Sequence, residues 1–174
     1  MIHLETERLI LRNYTADDAA VVHEYFSHEE VARYEDFHPM TMAHVEKMVA
    51  EWADMDNRML AVLKSSGEVL GSVGYWIDED GDYSIDYDFN PRFWRKGYAT
   101  EAAREVVRHL VEDKGVREIY GDCDARNAAS AKVMDKLGFE FLFKDENGSY
   151  KDDADGNPIV ITVNVYKLTV KEPQ

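Results

Sequence analysis

Residues 83–103 read YSIDYDFNPRFWRKGYATEAA, and this stretch decides the architecture. Its first seven residues alternate. Ile85, Tyr87 and Phe89 fall on one side and Ser84, Asp86 and Asp88 on the other, the period-two pattern of a half-buried strand. Asn90 and Pro91 end the strand, and the basic turn Arg95-Lys96-Gly97-Tyr98-Ala99 opens a helix. A helix N-terminus presents unpaired N–H groups and partial positive charge, which suits an anion. Gly97 lets backbone approach a ligand closely, Ala99 keeps the next turn clear, and Arg95 and Lys96 add charge. A phosphate or pyrophosphate is the expected ligand. The Walker and dinucleotide glycine patterns are both missing, so this is another kind of phosphate turn.

Outward from this stretch, the chain reads as alternating short elements. Residues 8–12 form a strand, and a helix capped by Thr15 or Asp17 runs to about Val31. Thr41 caps a second helix whose Val45, Met48, Val49, Trp52 and Met55 share one face. Residues 59–64 and 69–77 are the strands of a hairpin. After the decisive stretch, a helix runs from about Tyr98 to Lys114 and stops at Gly115. Residues 117–124 form a strand, 127–137 a helix ended by Gly138, and 139–144 and 159–170 the last strands. The polar segment between them, DENGSYKDDADGNP (145–158), reads as solvated and mobile. The order β-α-α-β-β-β-α-β-α-β-β, without repeats or linker, predicts an α/β fold: one domain over 1–174, a mixed central sheet flanked by helices.

The 174 residues carry 35 Asp and Glu against 20 Lys and Arg, a net charge of −15. Such a surface repels nucleic acid and anionic membranes, so neither is expected as a partner. Residues 91–136 escape this acidity, holding ten basic and eight acidic residues, while the rest is −17. That stretch is where a small anionic ligand is expected. The lone cysteine, Cys123, excludes an intrachain disulfide and a cysteine-built metal site, and no metal is expected. With no signal-type apolar run in MIHLETERLILR, the reading is cytoplasmic.

Four segments in order, ETERLILR, NPRFWRKGYATEA, the N-x-x-S…KLGF helix and the closing VNVYKLTV, resemble the GNAT superfamily of N-acetyltransferases. The chain is most similar to the ribosomal-protein N-terminal acetyltransferase (RimJ/RimL-like) branch. The resemblance implies acetyl-CoA as donor and a primary amine as acceptor. It places the CoA pyrophosphate on the amides of Arg95, Lys96, Gly97, Tyr98, Ala99 and Thr100. The pantetheine arm would lie beside 87–89, where two central parallel strands splay, and the N–H near Phe89 would receive the developing oxyanion. Asn127 would bond the pantetheine or acetyl region, Ser130 would lie near the thioester sulfur, and Lys136 would meet the adenosine end. The chain departs from family habit at three positions. Trp94 stands three residues before the glycine. Met134 replaces a tyrosine that serves many relatives as general acid, which shifts that role to Ser130 or leaves the site without an acid. Ser84 stands where some relatives carry a glutamate base.

Amide formation needs a neutral amine, hence a base acting directly or through water. The face Ser84-Asp86-Asp88 supplies two carboxylates, with Asp88 the first choice and Asp86 the second. Asp122 and Asp124 offer a similar pair on the neighbouring strand. The acidity around them favours a cationic or neutral amine: a small amine or a protein N-terminus. Phe37 and His38 fall in the loop that lines the acceptor pocket in relatives. Cys123 reads as core packing. Two alternatives stay open, a CoA-binding regulatory domain without turnover and an acyltransferase for a longer acyl group. A homodimer is left open too.

Overall fold

A computed structural model describes residues 2–170 of the chain. Strands β1 (His3–Glu5) and β2 (Leu9–Arg12) precede a 3₁₀ turn (Ala16–Asp18) and helices α1 (Ala19–Phe26), α2 (Glu29–Ala32) and α3 (Met42–Trp52). Strands β3 (Arg58–Leu63), β4 (Val69–Ile77) and β5 (Tyr83–Phe89) follow, then helix α4 (Tyr98–Arg108), which closes in a π turn (His109–Asp113). Strand β6 (Glu118–Asp124), helix α5 (Ala128–Leu137) and strands β7 (Glu140–Gly148) and β8 (Ile161–Thr169) complete it. The expected fold class holds: one α/β domain around a mixed sheet. Met1 and residues 171–174 of the expected 1–174 span lie outside the described residues.

The strands form one sheet in the order β1-β2-β3-β4-β5-β6-β8-β7. Among the described residues its only parallel pair is β5–β6, and that pair is brief, joining Tyr83 to Ile119 and Ser84 to Tyr120. Beyond Ser84 the two strands separate, while β5 stays zipped to β4 through the Gly71–Phe89 pair. In an antiparallel pair, successive N–H groups point to alternate sides. Asn90 N–H bonds Leu70 O on the β4 side. Phe89 N–H therefore points the other way, into the opening.

Each face of the sheet packs a core. Leu9, Leu11, Met59, Leu70, Val106, Leu110 and Ile119 join α4 and α5 to one face. Val22, Tyr25, Phe26, Val45, Val49 and Leu60 join α1 and α3 to the other. The alternation in β5 thus sends Tyr87 towards α5 and Asp88 towards α1. Asp88 pairs across strands with Ser72, whose hydroxyl meets the Tyr14 and Tyr25 hydroxyls at 2.5 and 2.6 Å.

Several boundaries differ from expectation. The first helix breaks at His28, whose backbone is extended, so Val31 and Ala32 are buried from the separate α2. Strand β1 was not anticipated; three residues are too few for periodicity to show. Thr41 does cap α3, accepting from His44 N–H, but Met55 lies past its end and is exposed. The segment 145–158 is not a free loop. β7 runs on to Gly148, and Asp152 bridges Pro158, so the β7–β8 hairpin extends as an arm.

Candidate active site

Two left-handed residues shape the turn before α4, Arg95 at φ 61° and Gly97 at φ 81°. Such a turn gathers successive N–H groups around a concavity that suits an anion. It is anchored from both sides. Trp94 donates Nε1–H to Phe89 O at 2.6 Å, tying the turn to the end of β5. That gives the unusual Trp94 a structural task. From just before β2, Arg8 donates to Lys96 O at 3.1 Å. Glu101, in the first turn of α4, accepts from the Thr6 hydroxyl, Arg8 N–H and Arg8 Nε, at 2.5, 2.9 and 2.6 Å. Its charge is thus consumed beside the helix N-terminus. ETERLILR is the clamp that holds this turn.

A cavity of about 1140 Å³ opens from the turn and runs along the separated edges of β5 and β6. Phe89, Arg95, Gly97, Tyr98, Ala99, Thr100, Asn127, Ser130 and Lys136 line it. The Lys96 side chain turns to Phe93, its ammonium 5.6 Å from the ring centroid, so the turn offers this residue's backbone rather than its side chain. Asn127 caps α5, its side-chain oxygen accepting from Ser130 N–H at 3.1 Å, which leaves the amide NH₂ as what it offers a ligand. Ser130 Oγ lies 2.9 Å from the Tyr87 hydroxyl. Met134 is buried against Gly121, where an added Cβ would come within 2.4 Å of its Cε. Burial pushes the Cys123 thiol up to about 11, so it stays protonated and unreactive.

The far end of the cavity is acidic. Asp86 and Asp88 both line it but differ. Asp86 is ion-paired with Arg58, and its other oxygen is buried without a partner among the described residues. No hydrogen bond or ion pair engages the Asp88 side chain among the described residues. Burial first, then the charge of Asp36, pushes Asp88 up to about 7, against the pull of Arg58. Glu35 is pushed up to about 9 by burial and by the charges of Asp88, Asp36 and Asp122, with Lys151 opposing. Asp122 faces the cavity and accepts from the Tyr150 hydroxyl at 2.6 Å. Asp124 instead is buried and paired with Arg126, bracing the turn into α5, so the expected Asp122–Asp124 pair is divided between two tasks.

The β7–β8 arm closes this end. Lys151 Nζ donates to Ala32 O and Phe37 O, and His38 Nε2 lies 2.8 Å from Asp152 O. The arm thereby straps the α2–α3 loop over the carboxylates. The sequence puts Tyr87 on an apolar face and beside the pantetheine arm without showing what its hydroxyl meets, and Glu35, Tyr150 and Lys151 lie in stretches without periodicity.

The family model described as an acetyltransferase (GNAT) domain matches residues 8–140. The chain belongs to the GNAT acetyltransferase family. Across 97% of both chains it is 29% identical to the uncharacterized N-acetyltransferase p20 of Bacillus licheniformis. A GNAT-family acetyltransferase from Bacillus anthracis shares its fold at a TM-score of 0.87, with 23% identity over 97% of this chain and 98% of that one. RimL, a ribosomal L7/L12 N-terminal acetyltransferase solved with coenzyme A, shares it at 0.80, with 15% identity over 97% and 98%. This GNAT member is an N-acetyltransferase enzyme, and acetyl-CoA is the donor that such a fold uses. Among the described residues, no helix is long and apolar enough to cross a membrane, and no three His, Cys, Asp or Glu residues are grouped to hold a metal.

Proposed function

We propose that this acetyltransferase carries the acetyl group of acetyl-CoA to the primary amine of a positively charged acceptor, by direct attack in a ternary complex. The observation that carries this reading is the unpartnered Asp88 carboxyl at the acidic end of the cavity, pushed up to about 7. A base with that value is ionised for half its molecules at neutral pH and still basic enough to take an ammonium proton. Asp86 is the weaker candidate, because Arg58 holds its charge.

The other groups take complementary roles. The turn from Arg95 to Thr100 receives the pyrophosphate, and Asn127 and Lys136 bind further along the cofactor. Phe89 N–H, aimed into the opening, steadies the oxyanion. Asp36 and Asp122 put negative charge on the acceptor's path, and the neighbouring Glu35 is held protonated by burial and by those charges, so a cation there relieves the repulsion. A small cationic amine, an amino sugar or a basic peptide N-terminus meets that requirement.

A thiol-release screen with acetyl-CoA tests it. Cationic amines should be acetylated and anionic amines should not. Release with no amine on a broad panel would favour a regulatory domain, and an anionic best acceptor would refute the role given to the carboxylates.

A further inference from the structure

The departing sulfur needs a hydrogen-bond donor, and on the face of α5 towards the cavity Met134 is buried and apolar and supplies none. Ser130 is the hydroxyl left on that helix face. Its N–H is fixed by Asn127, and its Oγ meets the hydroxyl of Tyr87 at 2.9 Å, across the opening from α5 to β5. Burial holds the Tyr87 phenol above its ordinary value, with the Ser130 hydrogen bond opposing, so it remains a donor at working pH. A serine hydroxyl that accepts from a tyrosine keeps its own hydrogen free to turn elsewhere. Ser130 and the Cys123 thiol on β6 both line the cavity.

We infer that Tyr87 and Ser130 form a thiolate-binding pair, in which Tyr87 donates to Ser130 Oγ and turns the Ser130 hydrogen onto the sulfur of CoA. The inference rests on the acetyl-transfer reading above. As the nitrogen–carbon bond forms, the carbon–sulfur bond breaks and its electron pair stays on sulfur. Ser130 stabilises that charge by a hydrogen bond without surrendering its proton, and the thiolate takes a proton from water on release. A thiol near 8.5 needs stabilising more than protonating, and a hydroxyl polarised by a second hydroxyl is the stronger donor. Tyr87 is a positioning residue here; Ser130 touches the reacting atoms.

The charged and titratable groups facing the pair are Cys123 on β6, Asp88 on β5, Glu35 from the α2–α3 loop and Lys132 on α5. Their titration acts on any CoA analogue alike, which makes desulfo-CoA the control. Calorimetric binding of CoA and desulfo-CoA is measured between about pH 6 and 9. In the wild type, CoA should gain at least about threefold in affinity over desulfo-CoA as its thiol ionises. Tyr87→Phe and Ser130→Ala should lose that gain while still binding desulfo-CoA. Tyr87→Phe should also lower kcat with the KM for acetyl-CoA unchanged. A constant CoA to desulfo-CoA ratio in the wild type, or an undiminished gain in folded Tyr87→Phe, would overturn the pair. Failure of both ligands to bind the wild type would overturn the acetyl-CoA reading itself.

Discussion

Arg8 Nε and Glu101 Oε2 lie 2.6 Å apart, joining the residue that leads into the second strand to the first turn of the helix that follows the anion turn. Burial works against the Glu101 charge, but the bonds from Thr6 and Arg8 outweigh it and hold the carboxyl below its usual range. A depressed carboxyl contributes stability above its unfolded value, and loses it as pH falls through its folded value. Arg8→Ala should therefore destabilise by about 1–3 kcal/mol at neutral pH, and the gap to wild type should narrow towards pH 3. Thermal melts of both proteins across that range check this.

The turn itself makes a different demand. A Cβ on Gly97 would meet only Arg8 Nη2, at 3.5 Å, so space is available and the obstacle is φ of +81°. An L-residue there costs about 1–2 kcal/mol. Gly97→Ala should destabilise the fold by that amount, read as a lower melting temperature, and weaken CoA binding as the turn relaxes. Gly97→Asn should do less harm, because asparagine tolerates the left-handed region. Equal loss in both variants would mean that side-chain bulk, not backbone conformation, is what the turn excludes.

Legibility followed the range of the interactions. Asp88 could be placed on its face from alternation within seven residues, and Gly138 from its position after a helical stripe. Arg8 and Glu101 are 93 residues apart, and Lys151 reaches carbonyls 114 and 119 residues away; neither relation leaves a local pattern. The arm at 145–158 is polar because its partners are backbone carbonyls and carboxylates, and such a composition looks identical to solvated loop. Tyr87 was hidden for another reason. An aromatic on an apolar face reads as packing, and only the position of α5 reveals what its hydroxyl meets.

Lys151 supplies a test of the strap. Its two carbonyl bonds hold the α2–α3 loop, and its charge opposes the rise of Glu35. Lys151→Ala should raise the acceptor KM about threefold to tenfold, from loss of roughly 1 kcal/mol of ordering. The dissociation constant of acetyl-CoA should stay unchanged, since the turn before α4 is remote from the arm. Steady-state kinetics and calorimetry separate the two, and an equal effect on both ligands would show that the strap serves the whole fold.

Asp88 joins stability to activity. Its ordinary value is that of any aspartate, and the fold pushes it up to about 7. The folded state therefore holds a proton that the unfolded chain has lost between about pH 4 and 7. Stability falls as pH rises through that window, and above it the ionised, buried carboxyl is a standing cost. Asp88→Asn removes the cost. It should melt above wild type at pH 8 and match it near pH 4. The same substitution removes the base. The wild-type kcat/KM should climb with pH through about 7, as Asp88 ionises, and the variant should lose that limb together with about 10²- to 10⁴-fold of its rate. Asp86→Asn should behave otherwise: it unpairs Arg58, so it should destabilise the fold and keep the limb. If Asp88→Asn retains both the limb and the rate, the carboxyl only attracts the acceptor, and the proton leaves by another group.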